Sequence, residues 1–340
     1  MRAAVLKEFS KPLAIEERPV PKPGPGEILV RVRAVGMCGT DLKIWHGKKA
    51  DTPLPLVMGH EIAGEVAALG EGVTSPAVGA RGVVHFYLSC QECALCKTNR
   101  ETLCQSMNGR LGFTRDGGLR DYLTVNAQNF IPVEDGVKLE EICVVADAIS
   151  TVYRGLKKAS VQAGERVLVV GLGGLGTHAA QVAKAMGGRV FGVDVDGRKL
   201  AFAAQYGCKN AIVASAEPEQ TAKRLLELAG GQFDIVIETV TRTQTVEVDL
   251  NVLGPSGRIL VLGYGAKEIA FSPYALVRQE ISVFGSRASS RQDVRDVLAL
   301  IARGEVRPAI SRYYPLENVN LALAALEAGE LPGRQVIVLS

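Results

Sequence analysis

Apolar and polar positions follow two rhythms along this chain, and the change falls near residue 150. Before it, short runs such as EILVRVRAVG (Glu27–Gly36) and EIAGEVAALG (Glu61–Gly70) keep to strand lengths, with Pro/Gly clusters such as PVPKPGPGE (Pro19–Glu27) between them. Short strand-like runs with such punctuation predict a β-rich domain over residues 1–150. From Arg166 onward, strand-like runs take turns with segments of helical period: RVLVVG, THAAQVAKAMG, RVFGVD, RKLAFAAQYG, NAIV, EQTAKRLLELAG and FDIVIET, then GRILVLG and ISVFG. Six strands in βα alternation predict an open, doubly wound parallel sheet with right-handed crossovers over residues 151–287. Beyond it, two helices are expected at 291–303 and 317–328 and a last strand at 335–339. The fold class is therefore α/β in two domains.

Composition narrows the function classes. The 340 residues suffice for two cores, and 47% hydrophobic with 22% charged residues is an ordinary globular balance. A net charge of +3, from 39 basic and 36 acidic side chains spread without blocks, gives no electrostatic case for nucleic acid or membrane binding. The opening MRAAVLKEF alternates like a strand and lacks a secretory h-region, and the apolar stretch RVLVVGLGGLG is too short to span a bilayer. A cytoplasmic protein is expected.

That expectation bears on SCQECALCKTNRETLC (Ser89–Cys104), which holds four of the seven cysteines, at Cys90, Cys93, Cys96 and Cys104. Thiols of a reducing compartment are more often metal ligands than disulfides. Core packing would suit cysteine but not the Gln, Glu, Lys, Thr, Asn and Arg around it. An iron–sulfur cluster would call for a different spacing of the fourth cysteine and a following proline. The C-x2-C-x2-C-x7-C pattern predicts a closed four-thiolate zinc lobe over residues 89–105.

VLVVGLGGLGTHAAQVAKAMG contains G-x-G-x-x-G at Gly171, Gly173 and Gly176, with Gly174 and Leu175 in the same turn, after an apolar strand and opening a helix. Such a turn brings backbone close to a pyrophosphate at the helix N-terminus. Asp194 follows eighteen residues after Gly176, where a carboxylate would accept ribose hydroxyls and repel a 2′-phosphate, favouring NAD over NADP. Arg198 and Lys199 would soften that preference by meeting a phosphate. Flavin and S-adenosylmethionine also suit such a fold.

Ligand chemistry in the first domain gathers in three segments: GMCGTDLKIWHG, with Cys38, Thr40, Asp41, Lys43 and His46; MGHEIAGEVAALGEGV, with His60 and Glu61; and VVADAISTVYRG, with Asp147. A thiolate, an imidazole and a carboxylate would leave a fourth zinc position open, as a catalytic zinc requires. Composition alone does not connect them.

On these motifs the chain resembles the zinc-dependent medium-chain alcohol dehydrogenases. Gly59–Val73 fits that family's G-H-E-x-x-G-x5-G-x-x-V signature, and the Cys-x-x-Asp unit at Cys38–Asp41, the four-cysteine lobe and GLGGLG follow in the family's order. The resemblance implies a GroES-like catalytic domain, an inserted Rossmann domain, and a return of residues 288–340 to the catalytic domain. It implies two zinc ions per chain, with Cys38, His60 and Asp147 as catalytic ligands, the third being cysteine in many relatives. Asp41 would orient His60, Glu61 would assist ligand exchange, and Thr40 would take the substrate proton. Many relatives end the proton relay in histidine where this chain has Lys43; Lys43, His46 or water would end it here. Arg334 would meet the cofactor pyrophosphate. The implied activity is hydride transfer between an alcohol (primary, secondary or polyol) and NAD. The alternatives are reduction of a conjugated enone or enoyl thioester, and a silent dinucleotide-binding protein, which would be expected to have lost ligands. Trp45, His46 and Tyr87 are candidates for the pocket of a small-molecule substrate. A homo-oligomer, tetramer or dimer, would pair through ISVFG.

Overall fold

A computed structural model describes residues 1–266 and 268–340. Two compact units divide the chain: Met1–Ser150, Ser289–Leu298 and Ile310–Ser340 form the first, and Thr151–Ala288 with Ala299–Ala309 the second.

The first unit is built around the strand Glu27–Met37, whose Ile28, Val30, Val32 and Val35 are buried β-branched residues suited to a pleated sheet. It pairs antiparallel with Glu61–Leu69 on one edge. On the other edge it pairs with Tyr122–Asn126 and then with Arg334–Val338. The sheet runs Ile310–Pro315, Arg334–Val338, Glu27–Met37, Glu61–Leu69, Arg81–Val84, Phe130–Pro132, and a smaller sheet orders Ala14–Glu17, Arg2–Leu6, Leu56–Val57. Register sets which residues meet at the sheet end. Gly36 lies opposite Glu61, and Met37 opposite Gln335. The neighbouring residues Cys38, His60 and Arg334 therefore emerge at one end of three adjacent strands.

The second unit is a six-stranded parallel sheet of Arg166–Val170, Arg189–Asp194, Ala211–Val213, Phe233–Glu238, Leu253–Val261 and Ser282–Gly285. By place in the chain its order is 3-2-1-4-5-6, and the direction of winding reverses between the first and fourth strands, where such sheets bind ligands. Apolar runs on these strands meet helices such as Pro218–Ala229 and Thr243–Val252 in one core, in which Phe191 meets Phe233 edge to face at 5.4 Å. Burying a side chain such as Phe233 contributes about 1.5–3 kcal/mol.

The later helices are Arg291–Ala302 and Val319–Glu327, and the last strand is Arg334–Val338. The pattern gave no sign of the strand Ile310–Pro315, whose ISRYYP is half exposed and ends in proline. No helix among the described residues is long and apolar enough to cross a membrane.

Candidate functional site

The four lobe cysteines converge although three are only half-buried. Their sulfurs lie 3.4 Å (Cys90–Cys104), 3.5 Å (Cys93–Cys96), 3.9 Å (Cys90–Cys96) and 4.0 Å (Cys93–Cys104) apart. Four thiolates on a tetrahedral zinc at about 2.3 Å stand about 3.8 Å apart, so this set fits the ion. Backbone N–H groups of Cys90 and Cys93 point at Cys104 Sγ and Cys90 Sγ. The N–H groups of Cys96 and Gln105 hold the Cys93 thiol down to about 6, in the range of a ready thiolate.

A second cluster lies at the strand ends. Ligand atoms of Cys38, His60, Glu61 and Asp147 all come within 4.8 Å of one another. Asp147 Oδ2 is 3.6 Å from Cys38 Sγ and 3.6 Å from His60 Nε2, the separation expected of neighbours on a tetrahedral zinc, about 3.4–3.7 Å for its usual bond lengths. Helix Gly39–Trp45 arranges one side of this corner. Cys38 is its N-cap, and Asp41, three residues on, accepts the Cys38 N–H at 2.7 Å through Oδ2. The other oxygen of Asp41 meets His60 Nδ1 at 3.2 Å, which turns Nε2 toward Asp147. Rings of Phe86 and Phe113 flank the imidazole at 5.1 and 5.0 Å. Burial opposes charge on His60, but Asp41 and its hydrogen-bond partners outweigh it and push its pKa well up.

Glu61 is fully buried with its carboxylate over Gly36, where a β-carbon would stand 2.1 Å from Oε2. Burial pushes its pKa up to about 8 against the pull of Arg334. Arg334, expected at a pyrophosphate, lies inside this cluster, its Nη2 2.9 Å from Glu61 Oε1, 3.5 Å from Cys38 Sγ and 3.7 Å from Asp147 Oδ2. Thr40 is half-buried beside it, with its N–H directed at Cys38 Sγ at 3.5 Å. Lys43 sits on the same helix, and burial, then Lys49, lower its pKa. His46 is held elsewhere, Nδ1 on Ser10 Oγ at 3.0 Å and Nε2 on Glu327 Oε1 at 2.6 Å. The Trp45 indole N–H donates to the Lys11 carbonyl, and Tyr87 is buried against Phe86.

In the second unit the glycine loop turns tightly. Gly171 is left-handed at φ 86°, and a β-carbon on Gly176 would come within 1.7 Å of the Gly171 carbonyl oxygen. Helix Gly174–Ala185 starts from Gly173, its N-cap, with Leu175 in the first turn. Asp194, at its strand end, accepts the Leu172 N–H at 2.8 Å and the Asp196 N–H at 3.0 Å, so it also braces the glycine loop. Lys199 Nζ stands 3.6 Å from Asp194, and Arg198 grips both oxygens of Asp196, holding that carboxyl down to about 2. The turn Thr239–Thr241 touches this loop too: Thr239 Oγ1 donates to the carbonyls of Val170 and Gly171. Nothing in the sequence pattern singled it out.

Comparison with known proteins gives matches along most of the chain. The Alcohol dehydrogenase GroES-like domain family matches residues 24–135, and the Zinc-binding dehydrogenase family residues 174–303. An alcohol dehydrogenase of Geobacillus stearothermophilus is 34% identical over 339 residues, 99% of each chain. An acryloyl-coenzyme A reductase of Metallosphaera sedula is 31% identical over 343 residues, again 99% of each. The crystal structure of the alcohol dehydrogenase from Aeropyrum pernix superposes with a TM-score of 0.91 at 29% identity, covering 99% of this chain and 100% of that one.

Proposed function

The chain belongs to the zinc-dependent medium-chain dehydrogenase family, and on that premise we propose that it is an NAD-dependent alcohol dehydrogenase with two zinc ions. It would pass a hydride reversibly between a primary, secondary or polyhydric alcohol and NAD. The observation that carries this reading is the meeting of Cys38, His60 and Asp147 at tetrahedral separations in one buried corner. Cys90, Cys93, Cys96 and Cys104 would hold the second zinc as a closed structural site.

When bound, the first zinc supplies Lewis acidity toward the substrate oxygen and NAD supplies the hydride acceptor. The chain's own residues do the rest. Asp41 fixes the His60 tautomer. Arg334 holds Glu61, the acid buried beside the ligands, with its guanidinium 2.9 Å from Oε1. Thr40 Oγ1 takes the proton of the substrate hydroxyl and passes it to Lys43, whose lowered pKa suits it to receive one. His46 fits that role less well, since both its ring nitrogens face other partners. The N-terminus of helix Gly174–Ala185 would receive the pyrophosphate, and Asp194 the adenosine ribose.

A second reading, reduction of a conjugated enoyl thioester, draws on the relative from Metallosphaera sedula. The test is NADH formation from a panel of primary and secondary alcohols, diols and polyols, repeated with NADP and with a chelator. Turnover abolished by the chelator supports the first reading. Silence on every alcohol, with oxidation of NADH by an enoyl thioester, supports the second. We further propose a cytoplasmic location, which suits seven cysteines without a disulfide, and a homo-oligomer paired through the edge strand Ser282–Gly285.

A further inference from the structure

The second unit buries two carboxyl groups against each other that the proposed activity does not use. Glu238 ends the fourth strand and Asp249 lies on helix Thr243–Val252, and neither has any exposed surface. Oε1 of Glu238 accepts the N–H groups of Val240 at 2.6 Å and Thr241 at 2.8 Å. Among the described residues its Oε2 and both oxygens of Asp249 have no N–H or hydroxyl donor, and the neighbour that acts on the Asp249 carboxyl, by its charge and by a side-chain hydrogen bond, is Glu238. A buried carboxylate with no donor is costly, and two side by side cannot both be ionised.

We propose that Asp249 is a protonated carboxylic acid that donates its hydrogen to Glu238, and that this pair positions the Val240–Thr241 turn against the dinucleotide loop. The proposal rests on the reading of Gly171–Gly176 as a dinucleotide site. The turn needs holding because Thr241 is left-handed at φ 61°, an uncommon conformation for a β-branched residue. It is packed tightly on the loop: a β-carbon on Gly171 would stand 2.6 Å from Thr239 Oγ1 and 2.6 Å from Val240 Cγ2. A Glu238 carboxylate fixed by a proton on its far oxygen keeps its near oxygen on the two N–H groups.

The surroundings leave Glu238 as the charged neighbour that acts on Asp249. Helix Pro218–Ala229 keeps Glu219, Lys223, Arg224 and Glu227 at the surface, Asp234 and Glu247 are exposed, and Arg258 turns to the Ala159 and Ser160 carbonyls and to Glu165. Burial, then the Glu238 charge, pushes the Asp249 pKa well above the carboxylate range. A folded-state pKa raised in this way gives stability that is present at low pH and is lost as pH rises through it.

The test is titration of the purified enzyme with NADH, followed by fluorescence from neutral to alkaline pH, for wild type, Asp249→Asn, Asp249→Ala and the double variant Glu238→Gln/Asp249→Asn. Wild type is expected to weaken with rising pH, whereas Asp249→Asn, which installs an amide as a permanent donor, removes that slope. Asp249→Ala leaves Glu238 Oε2 bare and is expected to bind roughly tenfold more weakly at neutral pH, the scale of one lost hydrogen bond to a charged group. The double variant, a neutral amide pair of the same shape, covers the case in which Asp249→Asn fails to fold, and it too is expected to be flat. An Asp249→Asn or double-variant titration with the wild-type slope overturns the proposal. An infrared difference spectrum, wild type minus Asp249→Asn, reads the proton directly, and absence of a protonated-carboxyl band overturns the proposal as well. If wild type binds no NADH while that band is present, the dinucleotide reading has failed and the acid pair has not.

Discussion

Gly36 governs how closely Glu61 approaches the proposed zinc ligands. A methyl group there would meet the Glu61 carboxylate at 2.1 Å and its Cβ at 3.0 Å, and Glu61 is fully buried. Gly36→Ala is expected to cost about 1–3 kcal/mol of stability, the usual penalty for overpacking, read by urea unfolding. It should also lower kcat by tilting Glu61 against Arg334 and Asp147. Lys43 carries a different expectation. Its pKa is lowered by burial first and by Lys49 next, so its neutral form becomes available at lower pH than for a surface lysine. The kcat of alcohol oxidation should rise with pH through that ionisation in wild type. In Lys43→Ala the rise should move, and an unmoved pH profile would show that Lys43 does not end the relay.

Elements differ in how far the sequence revealed them. The lobe was readable because its four cysteines lie within fifteen residues, so spacing alone carries the geometry. The second cluster was not, because Cys38 and Asp147 are 109 positions apart and Cys38 and Arg334 are 296 apart; strand register brings Cys38 and Arg334 together, and Asp147 reaches them from the end of the short helical turn Cys143–Ala146. There the family resemblance supplied what periodicity could not. Glu238 and Asp249 stayed hidden for a related reason: an acid at a strand end or on a helix reads as surface, and only the packing of the two elements turns both inward. The lobe, closed and largely coreless, should act on stability. Cys93→Ser is expected to lower Tm toward that of chelator-treated wild type while changing the kcat of the zinc-loaded enzyme little, and an unchanged Tm would sink a structural role. The strand-end acid works the other way. Asp194→Ser removes the carboxylate that would repel a 2′-phosphate, and it should raise the NADP-to-NAD ratio of kcat/KM by about tenfold or more. Because Asp194 also receives the Leu172 and Asp196 N–H groups, some loss of activity with both cofactors should accompany the switch.

At the scale of the whole molecule, the second unit presents apolar surface that a monomer has little reason to keep. Ser282–Gly285 is an edge strand with Val283 41% exposed, and helix Pro273–Gln279 beside it has no buried residue, leaving Tyr274 70% and Val277 79% exposed. An unpaired edge flanked by such side chains is a pairing site unless something blocks it, and here neither a charge nor a proline stands within the strand. A second copy of the chain, laid edge to edge along Ser282–Gly285, whose Gly285 carbonyl already receives Lys158 Nζ at 2.6 Å, would cover these side chains together. Light scattering is therefore expected to give a multiple of 36.2 kDa. Val283→Lys places a charge on that edge at an already exposed position, so the fold should tolerate it while the assembly should not. A fall to monomer mass with the circular dichroism spectrum retained is the expected result. A wild type that runs as a monomer at every concentration would return Tyr274 and Val277 to the status of ordinary exposed side chains.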